Sequence, residues 1–103
     1  MSENEIEWDH DSLEINDQGE ITGYIFYAIN DGFYISGKVL SYEYKGMNEV
    51  KTNYIPYVTI CESNGKVKEE IENYNTQNPN HAIDNVRNLM RLIVQTPEDF
   101  IDV

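Results

Sequence analysis

The chain has 103 residues, enough for one domain and too few for two. Nineteen Asp and Glu face seven Lys and Arg, a net charge of −12, which excludes a surface that grips nucleic-acid phosphates or an anionic membrane. A single cysteine excludes an internal disulfide framework, and no apolar run approaches the ~18 residues of a membrane helix.

Eight Tyr, three Phe and one Trp within a 40% hydrophobic composition point to a folded core, because disordered chains are poor in aromatics. Met1-Ser2-Glu3-Asn4-Glu5 lacks the positive start and apolar middle of a secretory signal, so the expected compartment is the cytoplasm. Charge is unevenly spread. Residues 1–20 hold eight acids and no Lys or Arg, residues 21–68 four acids and five Lys, and residues 69–103 seven acids and two Arg. A near-neutral middle therefore lies between two acidic ends.

Glu3, Glu5, Glu7, Asp9 and Asp11 occupy every second position, with Ile6 and Trp8 between them. In a strand the five carboxylates would form one row, about 6.6 Å apart, with Ile6 and Trp8 on the opposite face. Residues 1–11 are thus either an edge strand or a flexible acidic arm. Trp8 separates the two, since a buried Trp would pin the row in place.

Ser12–Asn16 reads as a short strand with Leu13 and Ile15 on one face, and Asp17-Gln18-Gly19 as a turn. Ile21–Ile29 is apolar on both faces, as in a central strand. Asn30-Asp31-Gly32 is a hairpin signal leading into a strand over Phe33–Tyr44, where Gly37 marks a bulge. Lys45-Gly46-Met47-Asn48 turns into a strand over Val50–Glu62, and Pro56 implies that this strand is an edge, bulged or broken. Ser63-Asn64-Gly65-Lys66 turns again, and Val67–Tyr74 fits either a strand or a short helix.

One helix is clear. Asn78 suits the N-cap, Pro79 the first helical position, and Pro97 stops the run. Ala82, Ile83, Val86, Leu89, Met90, Ile93 and Val94 recur at helical spacing. The expectation is a single α+β domain over 1–103: an antiparallel meander of four or five strands with one C-terminal helix packed on a face.

No catalytic signature stands out, and the chain is expected not to be an enzyme. Asp9-His10-Asp11 alternates across a strand and cannot readily chelate one ion, so neither metal nor cofactor is expected. Cys61 sits beside Ile60 in an apolar run and reads as a small core residue; His81 falls in the first helical turn. Glu69-Glu70-Ile71-Glu72 reads as an exposed acidic face. Tyr34, Tyr42 and Tyr44 share one face of their strand, and Tyr buries large area with a polar tip at protein interfaces.

Two functions fit these features. The first is a phage- or mobile-element-type inhibitor that mimics nucleic acid. It would block the basic groove of a nucleic-acid enzyme such as a CRISPR effector, restriction enzyme or glycosylase, with Trp8 and the tyrosines as anchors. The second is an acidic interaction module, immunity- or antitoxin-like, that binds through its Tyr-rich face or its helix without mimicry. The expected partner is a basic protein, and across the two readings the candidate contact residues are Glu3, Glu5, Glu7, Trp8, Asp9, Asp11, Tyr34, Tyr42, Tyr44, Glu69, Glu70 and Glu72. Neutralising Glu3, Glu5, Glu7, Asp9 and Asp11 together would disable the mimic but barely affect a Tyr-face binder.

Overall fold

The alternating apolar runs fold as strands. The computed structural model describes residues 6–101. In chain order they form β1 (His10–Asp11), β2 (Glu14–Ile15), β3 (Ile21–Thr22), β4 (Ile25–Asn30), β5 (Phe33–Lys45), β6 (Val50–Glu62), β7 (Val67–Glu72), α1 (Pro79–Gln95) and a 3-10 turn (Pro97–Asp99). β1-β4-β5-β6-β7 is a five-stranded antiparallel sheet in that spatial order, and β2 pairs with β3 in a small second sheet. With α1 on one face, this is the expected α+β meander. No helix among the described residues is long and apolar enough to cross a membrane.

Register sorts the side chains. Ile35 pairs with Tyr27 and Ile60, and Gly37 with Ile25 and Val58, so these residues share the face beneath α1. Ile25, Ile35, Val58 and Ile60 are fully buried there against Ala82, Val86, Met90 and Ile93 of α1. Each such aliphatic side chain contributes about 1.5–3 kcal/mol through burial. Asn78 caps the helix as the sequence implies, accepting from the N–H groups of Asn80 (3.0 Å) and His81 (3.4 Å). Ile101, 2% exposed, closes the core from beyond the 3-10 turn. That contribution was not legible in its mixed acidic and apolar segment.

Three local expectations change, and one open alternative resolves. The strand over Ile21–Ile29 is interrupted at Gly23 and Tyr24, where Gly23 has φ +84° and lies against the Ser12 carbonyl. The chain crosses there from the small sheet into the large one. Gly37 is not a bulge but sits in regular register; a Cβ there would meet Val86 Cγ1 at 2.6 Å and would also collide with Met90 Sδ. β6 runs unbroken through Pro56 as an inner strand. Pro56 O accepts from Asn73 N–H (3.0 Å), so the donorless Pro nitrogen faces that side, past the end of β7, and no bond to β5 is lost. Finally, Val67–Glu72 is a strand, with a register shift between Ile60 and Cys61.

β4 pairs with β5 only as far as Gly37, and β7 with β6 only as far as Tyr57. Past those points the β5–β6 hairpin continues as an arm, flanked on one side by the Tyr54–Thr76 bridge. The arm gives the molecule its 50 Å long axis and ends at Met47, fully exposed.

Gly23 and Gly65 separate two costs of substitution. Gly65 has φ +89° with nothing within 4 Å of where a methyl group would stand, so Gly65→Ala should lower stability by about 1–2 kcal/mol from backbone strain alone. Gly23→Ala adds a collision with the Ser12 backbone and should cost about 3 kcal/mol or more. Urea midpoints of the two variants check the ranking.

Candidate functional site

The face of the sheet opposite α1 is built from the other half of the alternation. Phe26 on β4, Tyr34, Lys38, Leu40, Tyr42 and Tyr44 on β5, Ile55, Tyr57 and Cys61 on β6, and Glu70 and Glu72 on β7 fall on it by register. β2 and β3 pack on the helix side, where Leu13, Ile15 and Ile21 join the core. No described element lies over the opposite face.

Its rings are paired. Phe26 and Tyr34 stand 5.1 Å apart between centroids, Tyr42 and Tyr44 6.4 Å, and His10 and Tyr24 4.5 Å at the β1 side. Lys38 Nζ lies 5.7 Å from the centre of the Tyr57 ring. Side-chain amides hold the phenol oxygens of the arm: Asn53 Nδ2 (3.1 Å) and Asn75 Nδ2 (3.3 Å) donate to Tyr42, and Gln77 Nε2 (3.0 Å) donates to Tyr44. The rings are therefore oriented before any partner arrives. Tyr42 remains 41% exposed and Tyr24 45%.

Two phenols are electrostatically marked. Tyr57 donates a 2.6 Å hydrogen bond to Glu70 Oε1, which pushes its pKa up to about 12. Tyr34 is raised above its ordinary value, first by its hydrogen bond to Cys61 and then by desolvation. Cys61 itself is buried and free.

The acidic row is a different object from the one its alternation suggests. Glu3 and Glu5 lie outside the described residues. Of the rest, only Asp11 is in a strand, the two-residue β1 paired on the edge of β4. Asp9 sits at a bend: its N–H donates to Phe26 O (3.1 Å), and its Oδ2 accepts from Ala28 N–H (2.8 Å). Asp11 faces the helix side, where Arg87 Nη2 donates to both of its carboxylate oxygens at 3.1 Å and to Leu13 O at 3.2 Å. The bend at Asp9 also breaks the alternation of side chains. In a continuous strand Trp8 would share a face with His10; instead Trp8 packs edge-on to Tyr27, 5.8 Å away, beside the helix-side core. Trp8 thus anchors the segment, but Asp9 and Asp11 are fastened to the fold and Glu7 is exposed without a strand beneath it.

Glu69, Glu70 and Glu72 line β7 and are exposed, as expected. Tyr34, Tyr42 and Tyr44 share one face, as expected, joined by Tyr57; Tyr54, opposite Ser41, points to the helix side. Sequence reasoning missed Phe26 and His10 because their place follows from which strands are neighbours, which strand alternation alone does not give.

The other candidates do not assemble. His10 Nε2 lies 3.0 Å from Ser12 Oγ, while Asp9 and Asp11 engage Ala28 and Arg87. No group of three or more His, Cys, Asp or Glu side chains that could hold a metal occurs among the described residues. Cys61 lies on the helix-free face and His81 on α1, so the sheet separates them. Comparison with protein-family models, curated proteins and solved structures returned no match.

These bonds have measurable consequences. Because the folded pKa of Tyr57 lies above the unfolded value of about 10, its contribution to stability is complete below pH ~10 and is lost as pH rises toward 12. An ultraviolet phenolate titration should show late-titrating tyrosines, of which Tyr57 moves toward the ordinary range in Glu70→Gln while Tyr34, raised through Cys61, does not. The Asp11–Arg87 pair, with side chains 28% and 30% exposed, should show a coupling of about 1 kcal/mol in a double-mutant cycle of Asp11→Asn and Arg87→Gln.

Proposed function

We propose that this protein acts by binding another protein, and that the helix-free face of the sheet is its docking surface. The observation that carries this reading is a sheet face left uncovered by the described elements, yet bearing paired aromatic rings whose phenols are held by side-chain amides. An aromatic centre with charged groups at its margin is the usual anatomy of a protein interface. Pre-oriented Tyr side chains lose little entropy on binding, which favours affinity.

The partner is a basic protein. Within the face, Lys38 and Lys51, which stands opposite Tyr44, offset Glu70 and Glu72, while the acids of the two chain ends dominate the net charge of −12. That field draws a positively charged partner from long range and repels a second copy of the chain. The uncovered face takes over the contact once the two meet.

Nucleic-acid mimicry is the second reading, favoured by the net charge. It asks for a row of free carboxylates. Asp9 and Asp11 are engaged within the fold, so Glu3, Glu5 and Glu7 are left to supply it. Two variant sets separate the readings: Tyr34→Ala with Tyr42→Ala on the face, and Glu3→Gln, Glu5→Gln and Glu7→Gln at the N-terminus. With a basic partner captured at low salt, the face variant should bind at least about a hundredfold more weakly, as expected when two interface anchors are lost. The N-terminal variant should mainly slow association. The reverse pattern, measured by surface plasmon resonance, would replace docking with mimicry.

A further inference from the structure

The two edges of the main sheet are treated differently. At the β1 edge, the Asp9 carboxylate accepts the Ala28 N–H that a further strand would need. The β7 edge has no such cover among the described residues. Asn73 N–H donates to Pro56 O, and Ile71 and Glu69 stand opposite Val58 and Ile60, so these odd-numbered residues turn their backbone groups toward β6. By the same alternation Glu70 and Glu72 turn theirs away from the sheet. All six residues but Ile71 are exposed, and none is Pro or Gly.

We propose that the β7 edge accepts an extended segment of a partner protein as a sixth strand, and that this segment carries Lys or Arg at alternate positions. Backbone hydrogen bonds to Glu70 and Glu72 would give the attachment, as in other cases of strand addition. The charge gives the selectivity. An incoming strand with its cations on the helix-free face places them directly across from Glu70 and Glu72, where opposite charges stabilise and like charges oppose. A second copy of β7 would set Glu against Glu, so the edge disfavours self-pairing while it suits a basic strand. Glu70 and Glu72 also stand on the helix-free face beside Tyr57, so the added strand would extend that face. The edge is read from the hydrogen-bond ladder and does not rest on the docking role of the aromatic face.

The test uses the full chain, amide hydrogen exchange by NMR, and two synthetic peptides of about eight residues that alternate Val with Lys or Val with Glu. With the Lys peptide, exchange at Glu70 and Glu72 should slow by at least about tenfold, while Ile71, already bonded to β6, stays unchanged. The Glu peptide should slow neither. Glu72→Pro deletes an outward donor without removing a bond to β6, and should weaken the Lys peptide while α1 resonances stay in place. The Tyr34→Ala and Tyr42→Ala variant should take up the peptide normally. Lys-peptide binding that leaves Glu70 and Glu72 exchanging freely, equal protection by both peptides, unchanged binding by Glu72→Pro, or loss of binding in the tyrosine variant would each overturn the proposal.

Discussion

The seat of α1 on β5 is the contact on which the rest depends. Gly37 offers no side chain, and Val86 and Met90 occupy the space its Cβ would fill. The helix can therefore lie close to the two long strands and bury Ile35, Val58 and Ile60 completely. Because α1 and the small β2–β3 sheet both pack on the same side of the main sheet, that burial is one-sided. The alternate residues of β4, β5 and β6 have no second layer among the described elements, and alongside Leu40 and Ile55 they carry Phe26, Lys38 and four tyrosines. The exposed aromatic face is thus a direct consequence of how the core is made.

The acids serve several purposes. Asp9 and Asp11 fasten the N-terminal segment, one by taking a backbone N–H of β4 and the other by joining Arg87 of α1. Trp8 on Tyr27 completes that attachment. Glu70 fixes the Tyr57 phenol, and Glu69 and Glu72 charge an open edge. The remainder set the overall field. An aromatic face that no described element covers risks self-association, and mutual repulsion between copies of net charge −12 opposes it.

Much of this was legible in the sequence because it depends on local rules. Hairpin signals at Asp31-Gly32 and Gly46, the Asn78-Pro79 start and the helical recurrence of Ala82 to Ile93 each determine their own element. What alternation could not convey was contact between distant segments. The row from Glu3 to Asp11 has perfect period-two spacing, yet the bend at Asp9 and the Arg87 partner lie outside any local pattern. Gly37 and Pro56 mislead for a related reason. Their residue types signal irregularity in isolation, whereas a helix packed over Gly37 and a neighbouring strand that ends before Pro56 make both compatible with regular ladders. The Tyr34, Tyr42 and Tyr44 face was visible because a single long strand carries it. Its completion by Phe26 and Tyr57 required knowing the strand order.

Docking of partners on the sheet face away from α1 is the central claim. The most direct measurement is NMR cross-saturation from an unlabelled basic partner to this chain in their complex. Docking on that face predicts transfer concentrated on Phe26, Tyr34, Tyr42, Tyr44 and Tyr57, with α1 silent. Transfer confined to α1 or to residues 1–7, with those rings unaffected, would contradict it.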